Sequence, residues 1–291
     1  MKIAITGAGG LVGGHLARRL AAEHEVWALK HGDLDITDRE AVRRWCLGER
    51  PELIINCAVL NVDECERDPG LAQAINVTGP QALAEAAAEV EAECLHFSTN
   101  YVFDGKRPNQ QPYTIKDEPR PINIYGHTKF AGERAVHEAA RRSFILRTSW
   151  VFGSGKENFL STAHRHLLLG ERLRAIADVW ASATYVADLV TRTVEILKRH
   201  HYATYHVVND GVCSYLEFAL EAARLVGTSE AQIEQLIEVV NETEMRRLAL
   251  RPRYTPMHCL ASEELGLAPL RDWRAALADY IQADRRAGHP G

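Results

Sequence analysis

The 291-residue sequence has little that would suit it to a membrane or a nucleic acid. It contains no uninterrupted apolar run of the roughly 20 residues that a transmembrane helix needs. Its formal net charge of −5 argues against a general binder of nucleic acids or of anionic membrane surfaces. The apolar stretch at residues 2–6 is too short for a signal peptide and runs straight into glycines. These residues are therefore predicted to form the first strand of the fold.

The six cysteines are scattered along the chain, and none of them forms a C-x-x-C pair. Neither a disulfide framework nor a zinc site is therefore predicted. The histidines also lack the H-E-x-x-H spacing of a zinc protease, so no metal is predicted. Reduced thiols of this kind are typical of a cytoplasmic protein.

What the sequence does contain is an alternation of short apolar runs with longer helical patterns. Strands are predicted at 2–6, 25–29, 52–56, 94–98 and 144–147, and helices at 11–22, 38–47, 69–90 and 125–142. This alternation predicts an α/β fold with a Rossmann-type, doubly wound parallel sheet. Residues 1–150 are predicted to be an NAD(P)-binding domain. Residues 151–291 are predicted mainly as a smaller substrate-binding lobe, from which some segments return to the main sheet.

Elements of the second half are predicted from the same patterns. Helices are expected at 158–169, 186–199, 215–226 and 272–281, and strands at 174–177, 205–208 and 237–240. Right-handed crossovers place the carboxyl ends of all parallel strands at one edge of the sheet, where ligands bind.

A glycine-rich loop follows the first predicted strand. Gly7, Gly10 and Gly13 stand between that strand and a helix. Glycines there permit a tight turn and let a dinucleotide pyrophosphate approach the helix N-terminus. A plain glycine-rich turn is the alternative, and the strand–helix–strand context favours the nucleotide site.

The residues after the second predicted strand bear on the choice of nucleotide. A carboxylate that would bind the ribose hydroxyls of NAD is missing there, and Lys30 and His31 stand in its place. A cation suits the 2′-phosphate of NADP, although Lys30 could equally be a solvated surface residue. NADP(H) is therefore preferred, and NAD(H) stays open.

Tyr125 and Lys129 are four residues apart on a predicted helix and so share one face. A nearby cation favours the phenolate form of a tyrosine, which tunes it for acid–base catalysis. The pair alone is weak evidence, because surface helices carry such spacings by chance. Together with the glycine loop and the residues from Ser98 to Tyr101, it indicates a nicotinamide-dependent oxidoreductase.

The glycine spacing and the Tyr-x-x-x-Lys pair resemble those of the extended short-chain dehydrogenase/reductase superfamily. Residues 98–105, Ser-Thr-Asn-Tyr-Val-Phe-Asp-Gly, are similar to the signature of the dTDP-4-dehydrorhamnose reductase family. Further similar stretches lie at 56–58, 62–66, 75–77, 123–129, 147–153, 251–252 and 272–277.

The resemblance implies a role for each matching residue. Tyr125 would be the general acid, Lys129 would lower its pKa and hold the nicotinamide ribose, and Thr99 would bind the substrate carbonyl. The implied cofactor contacts are Gly7, Gly10, Leu11, Val12, Gly13, Lys30, His31, Asp35, Ile36, Ala58, Val59, Leu60, Asn76, Tyr125 and Lys129. The implied substrate contacts are Val62, Thr99, Asn100, Tyr101, Trp150, Asn158 and Arg251.

The resemblance predicts an NADP(H)-dependent reductase of a nucleotide-linked 4-keto-6-deoxy sugar, of the kind used to make dTDP-L-rhamnose for cell-wall polysaccharide. The chain departs from the family at Asn100, where an aspartate is usual, and at 178–185, where a glycine and a proline are missing. These departures leave a second hypothesis open, a non-catalytic NADP-binding regulatory subunit like that of methionine adenosyltransferase. Retention of Thr99, Tyr125 and Lys129 favours the enzyme. A sugar epimerase or dehydratase ranks last, and a homodimer is left open.

Overall fold

The computed structural model of the protein describes residues 1–107 and 109–288. In the first half, the elements are β1 (Lys2–Thr6), α1 (Leu11–Leu20), β2 (Glu25–Leu29), α2 (Arg39–Glu49), β3 (Leu53–Asn56), α3 (Val62–Arg67), α4 (Pro69–Gln73), α5 (Gly79–Glu89), β4 (Glu93–Thr99), α6 (Ile124–Ala139) and β5 (Ser143–Thr148). A π-helical turn, Ala74–Thr78, joins α4 to α5, and a 3₁₀ turn, Asn100–Val102, follows β4.

The second half continues with shorter strands. Its elements are β6 (Val151–Phe152), α7 (Phe159–Leu168), β7 (Leu173–Ile176), β8 (Trp180–Ala181), β9 (Thr184–Tyr185), α8 (Val186–Leu197), β10 (Thr204–His206), β11 (Cys213–Ser214), α9 (Tyr215–Val226), α10 (Glu230–Leu236), β12 (Ile237–Val240), α11 (Leu260–Glu264) and α12 (Trp273–Arg286). Among the residues that the structure describes, no helix combines the length and the apolar character needed to cross a membrane.

Six parallel strands form the central sheet in the order β10-β5-β4-β3-β1-β2. Successive side chains of a strand point to opposite faces. Ile3 and Ile5 of β1 therefore join a core with α1 and α8, whereas Ala4 joins a second core with α2, α5 and α6. Helices cover both faces of an all-parallel sheet, which confirms the predicted doubly wound α/β fold.

The second half of the chain contributes to two different layers. Strand β10 pairs with β5 at the edge of the central sheet, and α8 packs beside α1 on one of its faces. The remaining helices α7, α9 and α12 surround a separate apolar core that contains Phe152, Phe218 and Trp273. Three two-stranded sheets, β7–β12, β8–β11 and β6–β9, complete this lobe. Because β6 starts two residues after β5 ends, the lobe extends from the carboxyl end of the central sheet.

The single helix predicted at 69–90 is wrong in one respect. It is interrupted by the π-helical turn, and the separate helix α3 precedes it. Asp68 ends α3 and caps α4, whose first residue is Pro69. The extra residue in the π-helical turn directs Asn76 inward, where its amide donates to Thr128 of α6. This contact between distant segments is not visible in the local sequence pattern.

Candidate active site

The glycine loop after β1 is forced by close backbone packing. Gly7 has a φ of +67°, and a Cβ atom there would lie 2.5 Å from the backbone nitrogen of Ala58. A Cβ atom on Gly13 would lie 2.5 Å from the carbonyl oxygen of Gly7. Both positions therefore accept only glycine. The loop leaves Gly10 exposed at the start of α1, where the helix dipole and free N–H groups favour an anion.

A groove of about 470 Å³ opens beside this loop. Its lining unites residues that are far apart in the sequence, namely Thr6, Gly7, Gly10, Lys30, His31, Leu34, Asp35, Ile36, Thr37, Cys57, Ala58, Val59, Leu71, Ile75 and Lys156. Most of the predicted cofactor contacts are among them. Glycines at one end and cations around it fit the phosphates of a dinucleotide.

Several predicted cofactor residues support the groove without lining it. Leu11 and Gly13 are buried in the first turn of α1, and Val12 packs against the core. Asn76 is fully buried, where its carbonyl accepts from Leu60 N and its amide donates to Thr128. In this structure Asn76 braces the 58–60 loop from behind, and its implied contact with the cofactor stays a prediction.

Lys156 is a groove residue that the sequence analysis missed. It lies in the loop between β6 and α7, and this loop is tied to α1 by a 2.8 Å hydrogen bond between His15 Nε2 and Ser154 O. The available signal was a lysine beside Gly155 after a strand end. Lys156 thus brings a cation from the second half of the chain to the groove that Lys30 also lines.

Tyr125 and Thr99 meet at the carboxyl end of β4. Thr99 is the last residue of that strand, and Asn123 caps α6 by accepting from Gly126 N, which places Tyr125 in the first turn. The Thr99 hydroxyl lies close enough to the phenol of Tyr125 to act on its pKa. Burial raises the pKa of Tyr125 to about 12, and the nearby Thr99 hydroxyl opposes that rise. A phenol in this state is protonated at neutral pH and is suited to donate a proton.

Lys129 lies on the same side of α6, but its side chain turns towards β4. Its Nζ donates to the carbonyl of Phe97 at 2.6 Å and lies 3.1 Å from His96 Nε2. Burial lowers the pKa of Lys129 to about 8. The sequence-based expectation that this cation lowers the pKa of Tyr125 does not describe this arrangement, because burial of the phenol dominates there.

A buried ion pair supports the catalytic strand and was also missed. Arg147 of β5 donates to both carboxylate oxygens of Glu133 on α6, at 2.9 and 2.6 Å. Ser98 of β4 donates to the same carboxylate at 2.5 Å. Both charged side chains are only about one-twentieth exposed, at 6% and 5%. The pair joins α6 to the two strands whose ends form the site.

Asn100, the departure from the family pattern, points away from open solvent. It is 2% exposed, its amide donates to Thr255 at 2.6 Å, and its carbonyl accepts from Thr99 at 3.2 Å. Asn100 therefore connects Thr99 to the segment before α11. Its implied contact with substrate stays a prediction.

Three of the other implied substrate residues contact aromatic or charged side chains. Tyr101 packs edge-on against Tyr125 with ring centroids 5.7 Å apart, and the ring of Trp150 packs on that of Tyr215 with centroids 3.9 Å apart. Arg251 pairs with Asp63 at 2.8 Å.

Two residues of that prediction have local structural roles. Val62 is the first residue of α3. Asn158 caps α7 by accepting from Ser161 N and donates to the carbonyl of Val151. These contacts account for the position of Asn158 without a ligand.

A family model described as the RmlD substrate binding domain matches residues 1–286. Over 286 residues the chain is 39% identical to a dTDP-4-dehydrorhamnose reductase of Mycolicibacterium smegmatis, covering 97% of this chain and 85% of that one. The chain belongs to the dTDP-4-dehydrorhamnose reductase family.

Solved structures agree with the family assignment. A dTDP-4-dehydrorhamnose reductase of Clostridium acetobutylicum aligns with a TM-score of 0.91 and 34% identity, covering 98% of this chain and all of that one. A dTDP-4-dehydrorhamnose reductase of Bacillus anthracis, solved in complex with NADP, aligns with a TM-score of 0.90 and 34% identity over 97% of this chain and all of that one. Membership in this reductase family confirms the predicted oxidoreductase class, and none of these similarities favours the non-catalytic regulatory subunit.

Proposed function

We propose that this member of the dTDP-4-dehydrorhamnose reductase family reduces the C4 ketone of a dTDP-linked 4-keto-6-deoxy sugar with NADPH, the sugar being dTDP-4-dehydrorhamnose. One observation carries this proposal. Thr99 ends β4 and Tyr125 lies in the first turn of α6, close enough for the Thr99 hydroxyl to lower the pKa of the phenol, in the domain that holds the glycine-lined groove. Two preorganised donors at one point suit an oxygen that gains negative charge during the reaction.

The groove supports NADP(H) as the cofactor. Lys30 and His31 follow β2, and Lys156 reaches the same groove from the second half of the chain. Three side chains that are or can become cationic suit a ligand with a 2′-phosphate as well as a pyrophosphate. When bound, NADPH supplies the hydride, and the protein orients it against the ketone.

Side chains of the protein donate the proton that the reduction requires. Tyr125 is held protonated by burial and donates its phenolic proton to the developing alkoxide. Thr99 donates a second hydrogen bond to the same oxygen. General acid catalysis of this kind contributes roughly 10²- to 10⁴-fold to the rate.

The second half of the chain would hold the sugar nucleotide. Trp150 and Tyr215 form an aromatic surface, and the charge of Arg251 acts on the neighbouring Tyr101. Aromatic rings suit the base or the sugar face, and an arginine suits the diphosphate. This arrangement supports a cofactor domain at 1–150 and a mainly substrate-binding lobe at 151–291. A cytoplasmic location fits this role, and a homodimer stays a prediction.

The test is NADPH consumption, followed by its absorbance, with enzymatically prepared dTDP-4-dehydrorhamnose. We expect turnover by the wild type and a loss of roughly 10²-fold or more in kcat for Tyr125→Phe, with unchanged NADPH affinity. Tyr202→Phe is the matched control. It removes the same hydroxyl from a tyrosine bound to Glu93, the first residue of β4, and should retain full activity.

The result that would overturn the proposal is equally clear. Tight NADPH binding by the wild type without reduction of this or any other dTDP-linked 4-keto sugar would indicate a binding protein. Equal activity of Tyr125→Phe and the wild type would remove Tyr125 from the chemistry.

A further inference from the structure

A chain of buried polar side chains runs beneath the catalytic residues, from β1 across β3 and β4 to α6. Thr6 Oγ1 donates to Asn56 Oδ1 at 2.8 Å, Asn56 Nδ2 lies 3.1 Å from His96 Nδ1, and His96 Nε2 lies 3.1 Å from Lys129 Nζ. All four side chains are at most 2% exposed. Each hydrogen bond in the chain must therefore be satisfied by its neighbours.

The direction of these hydrogen bonds is set by one backbone group. Ala58 N–H, which can only donate, lies 3.0 Å from Asn56 Oδ1. The opposite end of that amide is therefore Nδ2, and it donates to His96 Nδ1. A neutral imidazole that accepts at Nδ1 carries its proton on Nε2. His96 thus points an N–H group at Lys129.

The Nε2–H tautomer of His96 cannot form a hydrogen bond with a charged Lys129. An ammonium has three donors and no acceptor, so Lys129 in its charged form would face the His96 N–H donor to donor. A neutral amine has a lone pair that accepts from His96 Nε2–H, while one of its own hydrogens still donates to Phe97 O. A doubly protonated His96 would also place its Nδ1–H group against the Nδ2 donor of Asn56. Only the state with both residues neutral satisfies the whole chain.

The other groups around Lys129 do not reverse this preference. Glu133, one turn further along α6, is an anion that acts on Lys129, and it is already held by Arg147 and Ser98. Cys57 after β3 and Cys65 of α3 also face Lys129. Burial raises the pKa of Cys65 to about 11 and that of Cys57 further still, so both remain neutral thiols.

We infer that His96 is a positioning residue that presents Nε2–H to Lys129 and so makes Lys129 exchange its proton readily within the working pH range. This inference deepens the proposed function and rests on it for its kinetic consequence. Tyr125 gives one proton to the product in each turnover and must be reprotonated. We therefore expect kcat to follow the protonation state of Lys129, which lies one turn further along α6 from Tyr125.

The first test uses the wild-type protein and requires no turnover. Long-range proton–nitrogen NMR correlation of the imidazole distinguishes the two neutral tautomers, and His96→Gln identifies the resonance by its loss. We expect His96 to carry its proton on Nε2 at a pH above the Lys129 midpoint, where Lys129 is neutral. A proton on Nδ1 under that condition would overturn the inference, because Nε2 would then accept from a charged Lys129. Should His96→Gln fail to fold, backbone-linked assignment of the wild-type imidazole identifies the resonance instead.

The second test titrates Lys129 by NMR in protein labelled with carbon-13 at lysine Cε, with Lys129→Met to assign the signal. We expect a midpoint near 8 in the wild type and a rise of about one pH unit in His96→Gln, because a glutamine can turn its carbonyl towards the ammonium. His137→Gln, the same change at an exposed position of α6, should leave the midpoint unchanged. Equal midpoints in the wild type and His96→Gln would show that His96 only fills space.

A third test measures kcat as a function of pH and compares it with the titration of Lys129. The fall in kcat at alkaline pH should move upward in His96→Gln by the same amount as the Lys129 midpoint. An NMR shift without a matching kinetic shift would contradict the link to turnover. Loss of all activity in the wild type would contradict the proposed function and leave the two NMR results interpretable.

Discussion

The proposed catalytic edge of the sheet and the segments proposed to face the substrate are held in place in different ways. Thr99, Tyr125 and Lys129 lie on β4 and α6, and buried hydrogen bonds connect these elements to β1, β3 and β5. By contrast, Trp150 has a φ of +41° between β5 and β6, and Arg246 has a φ of +47° at the end of a short 3₁₀ turn. Groups that carry chemistry need rigid support, whereas irregular segments can vary without disturbing it.

The two regions also differ in how they use charge. Beneath the proposed catalytic residues, Glu133 and Arg147 are almost completely buried and share two hydrogen bonds. Near the proposed substrate site, Arg251 is 7% exposed but its partner Asp63 is 32% exposed. Water can replace a partner of Asp63 and cannot easily reach Glu133. The same class of substitution should therefore have very different effects in the two regions.

The largest effect on stability is expected for Arg147→Met. The change leaves the Glu133 carboxylate buried with only Ser98 as a hydrogen-bond donor, which should lower the free energy of unfolding by about 3–5 kcal/mol. Urea denaturation followed by circular dichroism measures this loss. A loss below about 1 kcal/mol would mean that water reaches Glu133, and the contrast between the two regions would fail.

The next effect is a pH dependence that originates at Lys129. Its pKa is lowered by burial from the ordinary 10.5 to about 8 in the folded protein. Between these values the unfolded chain binds more protons at this site than the folded protein, so stability rises with pH in that window. Below pH 8 the cost of burying the charge is present in full. We expect the free energy of unfolding of the wild type, minus that of Lys129→Met, to increase between pH 8 and 10.5. A flat difference would show that the ammonium is solvated or fully paired.

A smaller effect, on NADPH affinity, is expected for a substitution in the cofactor groove, which residues from both halves of the chain line. Lys156→Met should weaken NADPH binding about tenfold, since one partly solvated contact with a phosphate is worth about 1.4 kcal/mol. Isothermal titration calorimetry measures the affinity, and Lys198→Met serves as the control because Lys198 is exposed at the end of α8. If both variants bind NADPH like the wild type, Lys156 does not contact the cofactor.

The smallest effect on stability is expected for Arg251→Met. Removing a partner from the part-exposed Asp63 should cost about 1 kcal/mol or less in the free energy of unfolding. Substrate KM should rise in the same variant, because Arg251 is proposed to contact the diphosphate. A stability loss as large as that of Arg147→Met would remove the distinction between the two regions.

Local sequence patterns predicted a large part of the proposed site. Gly7 and Gly13 were predicted from their place between a strand and a helix, and the structure gives the reason in the backbone that a side chain would strike. Thr99 and Tyr125 were predicted from motifs, and the structure places them at the end of β4 and in the first turn of α6, where Thr99 acts on the pKa of Tyr125. Lys156 and the Glu133–Arg147 pair were not predicted, because their partners are distant in the sequence.

The sequence by itself determined the parallel sheet and the glycine loop, since each depends on periodicity or spacing within a few residues. The proposed catalytic side chains Thr99, Tyr125 and Lys129 followed from spacing and from resemblance to the family. Only the tertiary structure decided the burial, the pKa and the hydrogen-bond partners of those side chains. Burial sets the pKa of Tyr125 and of Lys129, the backbone N–H of Ala58 orients Asn56 and through it His96, and Asn100 turns to Thr255. These outcomes depend on solvent exclusion and on partners from other strands, and a linear pattern contains neither.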